Sequence, residues 1–366
     1  MKIALLGDIA LFGRYCVNNK SDVLDALSGL KNALSEFDLI VANLEAPLTS
    51  NKKRAGSKSA YIRSEINNIE VLKYLGVNAV SLANNHIFDF GLKGLQETLM
   101  TLKENNIDYY GVDSKSLNLN IRGEKIALHG YCSYITDPSY ASYKDRFSSN
   151  DGLNLLEYDD VLSSLKKADE EGYSNIISAH SGIENVSIPS VEDIMFARKL
   201  ANEFNYVYHG HHPHVIQGLE KHNNSLISYS QGNCLFDDIY DHRTGSLLVE
   251  QAFINSCSFI LSIDIKNKQL SAFKEIPFSL YKGDFVLNCI EAKKVIAERS
   301  ELLKLDFSEL QNLRTSEIKN MKTKRSARRD FKWFKSRLRP STFFRIFNNK
   351  LNAYFYSYKY KNYIKK

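Results

Sequence analysis

The sequence is short of cysteine. Its five cysteines, Cys16, Cys132, Cys234, Cys257 and Cys289, are scattered, odd in number and form no CxxC pair. That argues against a disulfide framework, so reduced thiols, some of them packed in a core, are expected. Long apolar runs are missing too. No stretch approaches 18 uninterrupted apolar residues, which excludes a membrane-spanning helix of the usual kind. The opening run, Met1 to Leu6, is too short for a signal peptide and is interrupted at Asp8. The expected location is therefore the cytoplasm. No internal repeat is found.

What is present is ordinary in bulk and uneven in detail. Apolar residues make up 43% of the 366 and charged residues 25%, as in soluble globular proteins. Such a length can bury a large core, as one big domain with an appendage or as two domains. The net charge of +6 conceals an asymmetry. From Lys319 to Lys366 there are 16 lysines and arginines against a single acid, Asp330, while residues 1–318 carry 32 basic and 41 acidic side chains. A mildly acidic body thus carries a strongly basic tail.

The most distinctive stretch is His209-Gly210-His211-His212-Pro213-His214, which holds four of the nine histidines. It follows Phe204 to Tyr208, a buried-strand pattern. Pro213 fixes one backbone angle and restricts His212. A rigid turn that splays His212 and His214 offers a metal two imidazoles with little entropy left to lose. The alternative is a solvated histidine-rich turn.

In the first half of the chain the pattern alternates strand and helix, which points to a layered α/β fold. Strands are expected at Lys2–Gly7, Asp38–Ala42, Val77–Ala83, Asp108–Gly111, Lys125–Tyr131, Ser174–Ala179, Ser225–Ser230, Ser246–Phe253 and Phe259–Ile265. Helices are expected at Val23–Leu34, Glu70–Leu75, Leu92–Asn105, Leu155–Ala168 and Ile194–Phe204. Residues 49–60 form a basic loop, either a lid for an anionic substrate or a solvated segment.

Polar groups gather where these strands end: Asp8, Glu45, Asn85 with His86, His180, and His212 with His214. Ligands of α/β folds collect at the carboxyl ends of strands. Together the groups supply two carboxylates, a carboxamide and three imidazoles, with His86 in reserve. That mixture suits one or two divalent ions such as Mn²⁺, Fe or Zn²⁺, able to clamp a phosphoryl group. Each member has a plainer reading. Asp8 can be a turn residue, His180 a satisfied core histidine, Glu184 a surface acid rather than an imidazole's partner, and Asn233 a turn residue rather than a site carboxamide.

The order of these pieces resembles the CapA family of poly-γ-glutamate or capsule-synthesis proteins, within the calcineurin-like metallophosphoesterase superfamily. The matching pieces are Gly7-Asp8, Asn43-Leu44-Glu45, Asn84-Asn85-His86 with Asp89 and Gly91, His180 with Gly182 and Glu184, His212-Pro213-His214, and Tyr229 to Asn233. The resemblance covers roughly residues 1–255. It implies a sandwich of two mixed β-sheets flanked by helices, with a metal site at the strand ends. By motif position Glu45 would be the bridging carboxylate, Asn85, His180 and His212 would complete one metal, and Asp8 and His214 would hold the other. His86 would face the substrate as an acid or a donor, oriented by Asp89. Asn43, Asn84, His211, Glu184 and Asn233 would stand behind the ligands or face the substrate. The superfamily's opening Asp-x-His is absent, since Ile9 and Ala10 follow Asp8, and Glu45 replaces the usual bridging Asp. The Asp8 position would then be weak, empty, or filled by a water-rich ion such as Mg²⁺.

The functional expectation is a metal-dependent phosphoester hydrolase or transferase acting on a phosphorylated or polymeric surface-glycan intermediate, beside other capsule assembly proteins. The alternative is a non-catalytic, metal- or ligand-binding component of an assembly complex. The metallophosphoesterase-like domain is expected over residues 1–281. A helical, basic and aromatic extension is expected over 282–366. Within 326–366, basic flanks surround aromatic faces, which suits peripheral contact with an anionic membrane on its inner face. A packed cap or protein contact is the alternative. No recognised nucleic-acid motif accompanies the charge.

Overall fold

A computed structural model describes residues 1–17, 22–55, 58, 60–136, 152–240 and 245–327, with Phe347, Lys350, Leu351 and Tyr354. The expected membrane contact of 326–366 falls almost wholly outside these residues. Among them, no helix is long and apolar enough to cross a membrane.

Sixteen strands are described: β1 (Lys2–Ile9), β2 (Leu39–Leu44), β3 (Ala79–Ser81), β4 (Asp108–Tyr110), β5 (Leu117–Ile121), β6 (Glu124–Cys132), β7 (Ser174–His180), β8 (Tyr206–His211), β9 (Leu219–His222), β10 (Ser225–Ser228), β11 (Asn233–Leu235), β12 (Ile239–Tyr240), β13 (Leu247–Val249), β14 (Cys257–Lys266), β15 (Gln269–Tyr281) and β16 (Asp284–Leu287). One mixed sheet runs β16-β15-β14-β1-β2-β3-β4, with β11 also paired to β1. The second runs β5-β6-β7-β8-β10-β9, and β12-β13 form a separate pair. In the first sheet β1, β2, β3 and β4 are parallel, and in the second β6, β7, β8 and β10 are parallel.

The period-2 alternation of side chains builds the layers. On β1, Ile3 and Leu5 face one way and Ala4 and Leu6 the other. Ile3, Leu5, Leu39 and Val41 meet Ile126, Leu128, Ile176, Val207 and Leu226 between the two sheets. Ala4, Leu6, Ile40 and Ala42 pack outward on Leu27, Leu30, Leu72, Leu95 and Leu102. On the far side Ile177, Tyr206, Tyr208 and Ile227 pack on Val161, Leu165, Ile194 and Leu200. The result is the expected sandwich of two mixed sheets flanked by helices.

Details differ from the sequence pattern for local reasons. The helix expected over Val23–Leu34 is two, Asp22–Ala26 and Ser28–Leu34. The helix expected at Ile194–Phe204 is Val191–Ala201, because the Ser190 side chain accepts from Asp193 N and sets its start. Only Leu247–Val249 of the segment Ser246–Phe253 is strand, and Phe253 opens a short helix. The sandwich also continues past Tyr281. β16 pairs with β15, and Cys289, Ala292 and Ile296 bury into the inter-sheet layer.

His129 belongs to this core rather than to any site. It is 2% exposed, with Nδ1 2.8 Å from Ser116 Oγ and Nε2 3.0 Å from Asn175 Oδ1. Burial pushes its imidazole down from 6.5 to about 4, against the Asn175 hydrogen bond. The unfolded chain therefore takes its proton first as pH falls. The contribution is intact above 6.5 and is lost progressively toward 4, by about 3 kcal/mol in full. Urea unfolding at pH 7 and pH 4.5 should show a shallower acid loss for His129→Gln than for the unmutated chain. An equal loss would contradict this placement.

Candidate metal centre

Strands β1, β2, β7 and β8 end together, and the turn after β3 joins them. Asp8 is the penultimate residue of β1, Glu45 follows β2, Asn85 and His86 follow β3, His180 ends β7, and His212 and His214 follow β8. Two glycines make room at this end. A Cβ on Gly7 would collide with Gly232 O, and one on Gly210 with Tyr229 O.

The His-Pro-His turn is under backbone strain. His212 has φ 95° and His214 φ 57°. For non-glycine residues this left-handed region costs on the order of 1 kcal/mol or more each, and it persists only where the surroundings over-determine it. Here Asp8 Oδ2 accepts from His212 N at 3.2 Å, Pro213 O accepts from Asn185 N at 2.8 Å, and His214 O accepts from Asn255 Nδ2 at 3.1 Å.

Two groups of side-chain atoms converge. In the first, His180 Nε2 lies 3.1 Å from His212 Nδ1, 2.9 Å from Asn85 Oδ1 and 3.9 Å from Glu45 Oε1. One imidazole proton cannot serve both the carboxamide oxygen and the second imidazole, whereas a cation can accept all of these lone pairs. In the second, Glu45 Oε1 lies 3.5 Å from His214 Nε2, and Asp8 Oδ2 lies 3.4 Å from His214 Nδ1. Glu45 is common to both groups.

Glu45 is fully buried, and neither of its carboxylate oxygens has a hydrogen-bond partner. A group left so costs about 1–3 kcal/mol. Burial pushes its carboxyl well above the usual range, Asp8 and Glu184 add to the rise, and Lys58 opposes it. Asp8 is the opposite case. Burial alone would raise it, but His211 first and His214 after it hold it well below the usual carboxylate range. Asn43 Nδ2 donates to Asp8 Oδ1 at 2.8 Å, and His211 Nδ1 lies 3.1 Å from the same oxygen. Burial pushes His180 well below 6.5 and His212 down to about 4. Both imidazoles are neutral, the form that ligates metal. The donor set and the orphaned Glu45 oxygens thus fit one or two divalent ions.

His86 stands beside these groups. Its Nδ1 is 2.7 Å from Asp89 Oδ2, which also accepts from Ile62 N at 2.9 Å. Asn84 braces the turn: its Oδ1 accepts from His86 N at 3.1 Å and its Nδ2 donates to Asn43 Oδ1 at 3.1 Å. Asn233 Oδ1 lies 2.9 Å from His214 Nδ1. Glu184 is half-buried, and its charge reaches His212 and Glu45. The structure thus brings Asp8, Glu45, His180, His212 and His214 together, with Asn85 on His180, and sets Asn43, Asn84, His86, Asp89, His211, Glu184 and Asn233 around them.

Two residues were not assigned to the site from the sequence: His209, read only as part of the histidine stretch, and Lys58, read only as part of the basic 49–60 loop. His209 is wholly buried beneath the centre, its Nε2 2.8 Å from both Leu6 O and Gln231 Oε1 and its ring 4.1 Å from His211. Strand alternation from Val207 would have placed it inward with His211. Lys58 pairs with Asp89 at 2.7 Å. Its loop position carried no such signal.

The bacterial capsule synthesis protein family PGA_cap matches residues 2–238, a span that holds all of these residues except the flanking Asn255. The capsule biosynthesis protein CapA of Bacillus anthracis is 25% identical over 298 residues, which cover 77% of this chain and 71% of that protein. The PGA biosynthesis protein CapA of Bacillus subtilis is 24% identical over 260 residues, covering 68% and 67%. Among solved structures, a Haemophilus influenzae NAD nucleotidase superposes with a TM-score of 0.43 at 16% identity, over 87% of this chain and 60% of that one. The chain belongs to the bacterial capsule synthesis protein family PGA_cap.

Proposed function

We propose that this chain is a metal-dependent phosphoester hydrolase or transferase of surface-polymer assembly. The observation that carries the reading is Glu45, whose two buried oxygens have no hydrogen-bond partner and lie between two sets of imidazoles and polar oxygens. Glu45 would bridge two ions. Asn85, His180 and His212 would complete one position, and Asp8 and His214 the other. Mn²⁺, Fe, Zn²⁺ or Mg²⁺ would suit these donors. Such ions supply Lewis acidity toward a phosphoryl oxygen and lower the pKa of bound water.

The chain's own residues do the rest. Asp89 holds His86 through Nδ1–H, so Nε2 can donate to a leaving or non-bridging oxygen when the ring carries both protons, as an imidazolium. Asn43 and His211 hold the Asp8 carboxylate in one orientation. Family membership directs the substrate class toward a phosphorylated surface-polymer intermediate, with capsule assembly proteins as partners.

The test is turnover of bis(p-nitrophenyl) phosphate and p-nitrophenyl phosphate by the full chain with Mn²⁺. Activity should appear with the ion, vanish with EDTA and return on adding Mn²⁺. A chain that takes up ions at the centre yet turns over no phosphoester would be a non-catalytic component of an assembly complex.

A further inference from the structure

We propose that Lys58 is a positioning residue of this centre, a buried cation that holds both the partner of His86 and the backbone of Asn85. Lys58 comes from the segment between β2 and β3, and its side chain is 10% exposed. A buried ammonium is costly unless it is paired and hydrogen-bonded. Here Nζ donates to Asp89 Oδ1 at 2.7 Å and to the Asn85 carbonyl oxygen. Its charge is also felt at Glu45.

The Asp89 carboxylate is thereby held from three sides. Oδ2 meets His86 Nδ1 at 2.7 Å and takes Ile62 N at 2.9 Å, and Oδ1 takes Lys58. Without the ammonium, Oδ1 loses its charged donor, and the broad terminal torsion of an aspartate lets the carboxylate turn. His86 follows, because Asp89 is what fixes its ring. The second bond acts on the ligand side. The Asn85 carbonyl belongs to the residue whose Oδ1 lies 2.9 Å from His180 Nε2. A compact ammonium with three donors can serve both acceptors at once. The backbone brings the segment to this spot: Ala55 N donates to Asp89 O at 2.9 Å, and Asn51 Nδ2 donates to Phe90 O at 3.0 Å.

The test has two arms. The first uses the metal-free full chain labelled with ¹⁵N-histidine, and reads the Nδ1 proton of His86, assigned by its loss in His86→Gln. In Lys58→Met this signal should shift upfield or broaden, while the His129 signals stay as the control for folding. Lys58→Gln gives the same readout should the apolar side chain unfold the chain. An unchanged His86 signal in a folded Lys58 variant would overturn the proposal. The second arm rests on the proposed phosphoester activity. Lys58→Met should lower kcat by about 10- to 100-fold, the range a small misplacement of a reacting group costs, with KM within about twofold. It should add little in an Asp89→Asn background. Additive losses would mean that Lys58 does not act through Asp89. An unmutated, metal-loaded chain with no turnover would sink the proposed function, while the histidine spectra would still decide the role of Lys58.

Discussion

Replacing Glu45 with methionine should make the metal-free chain more stable and the centre unable to hold metal. Most buried substitutions destabilise, so the sign of the first effect is diagnostic. Glu45 is fully buried with no hydrogen-bond partner for either oxygen, and two imidazoles lie 3.5 and 3.9 Å from Oε1. Folding removes the carboxyl from water and returns nothing until a cation arrives. A methionine of similar volume avoids that penalty, a gain of about 1–3 kcal/mol in the presence of EDTA. The same change removes the one carboxylate common to both ligand groups. Affinity for Mn²⁺ should fall by at least the roughly 100-fold that loss of a mere supporting partner can cost. Thermal unfolding in EDTA and titration calorimetry with Mn²⁺ check the two halves. A metal-free variant less stable than the unmutated chain would mark Glu45 as a structural residue.

His86→Ala should separate chemistry from metal binding. His86 neighbours Asn85 in sequence, but its Nδ1 is engaged by Asp89 at 2.7 Å. Among the described residues it joins neither group of converging ligand atoms. Under the proposed function its role is to donate to a phosphoryl or leaving oxygen, and a positioned acid of this kind contributes about 10²- to 10⁴-fold. Turnover of the phosphodiester probe should drop by that factor, with Mn²⁺ affinity within about twofold of the unmutated chain. An equal loss of metal would make His86 a ligand and reassign the acid.

The centre was legible because parallel strands bring their carboxyl ends to one edge. Asp8, Glu45, His180 and His212 each sit at or just past such an end, so their positions along the chain already implied proximity. The layers were legible from alternation, as in Ile3 and Leu5 against Ala4 and Leu6. What failed to show is set by contacts distant in sequence. Lys58 finds Asp89 only through the path of its loop. Short pairings such as β9 and β11 lack a run long enough to carry a period, whereas β5 does alternate, as Leu117-Asn118-Leu119-Asn120-Ile121. Cys289, Ala292 and Ile296 enter the inter-sheet layer from a helix whose apolar face is weakly marked, so the sandwich extends past Tyr281. The strain at His212 was hidden as well, because proline usually favours an extended residue before it.

The account stands most directly on where a cation binds. Anomalous diffraction at the manganese edge, from crystals of the full chain grown with Mn²⁺, locates it without reference to activity. A peak is expected among Glu45, Asn85, His180 and His212, with or without a second between Glu45, Asp8 and His214. A peak elsewhere, or none at Glu45 with Mn²⁺ in excess, would contradict it.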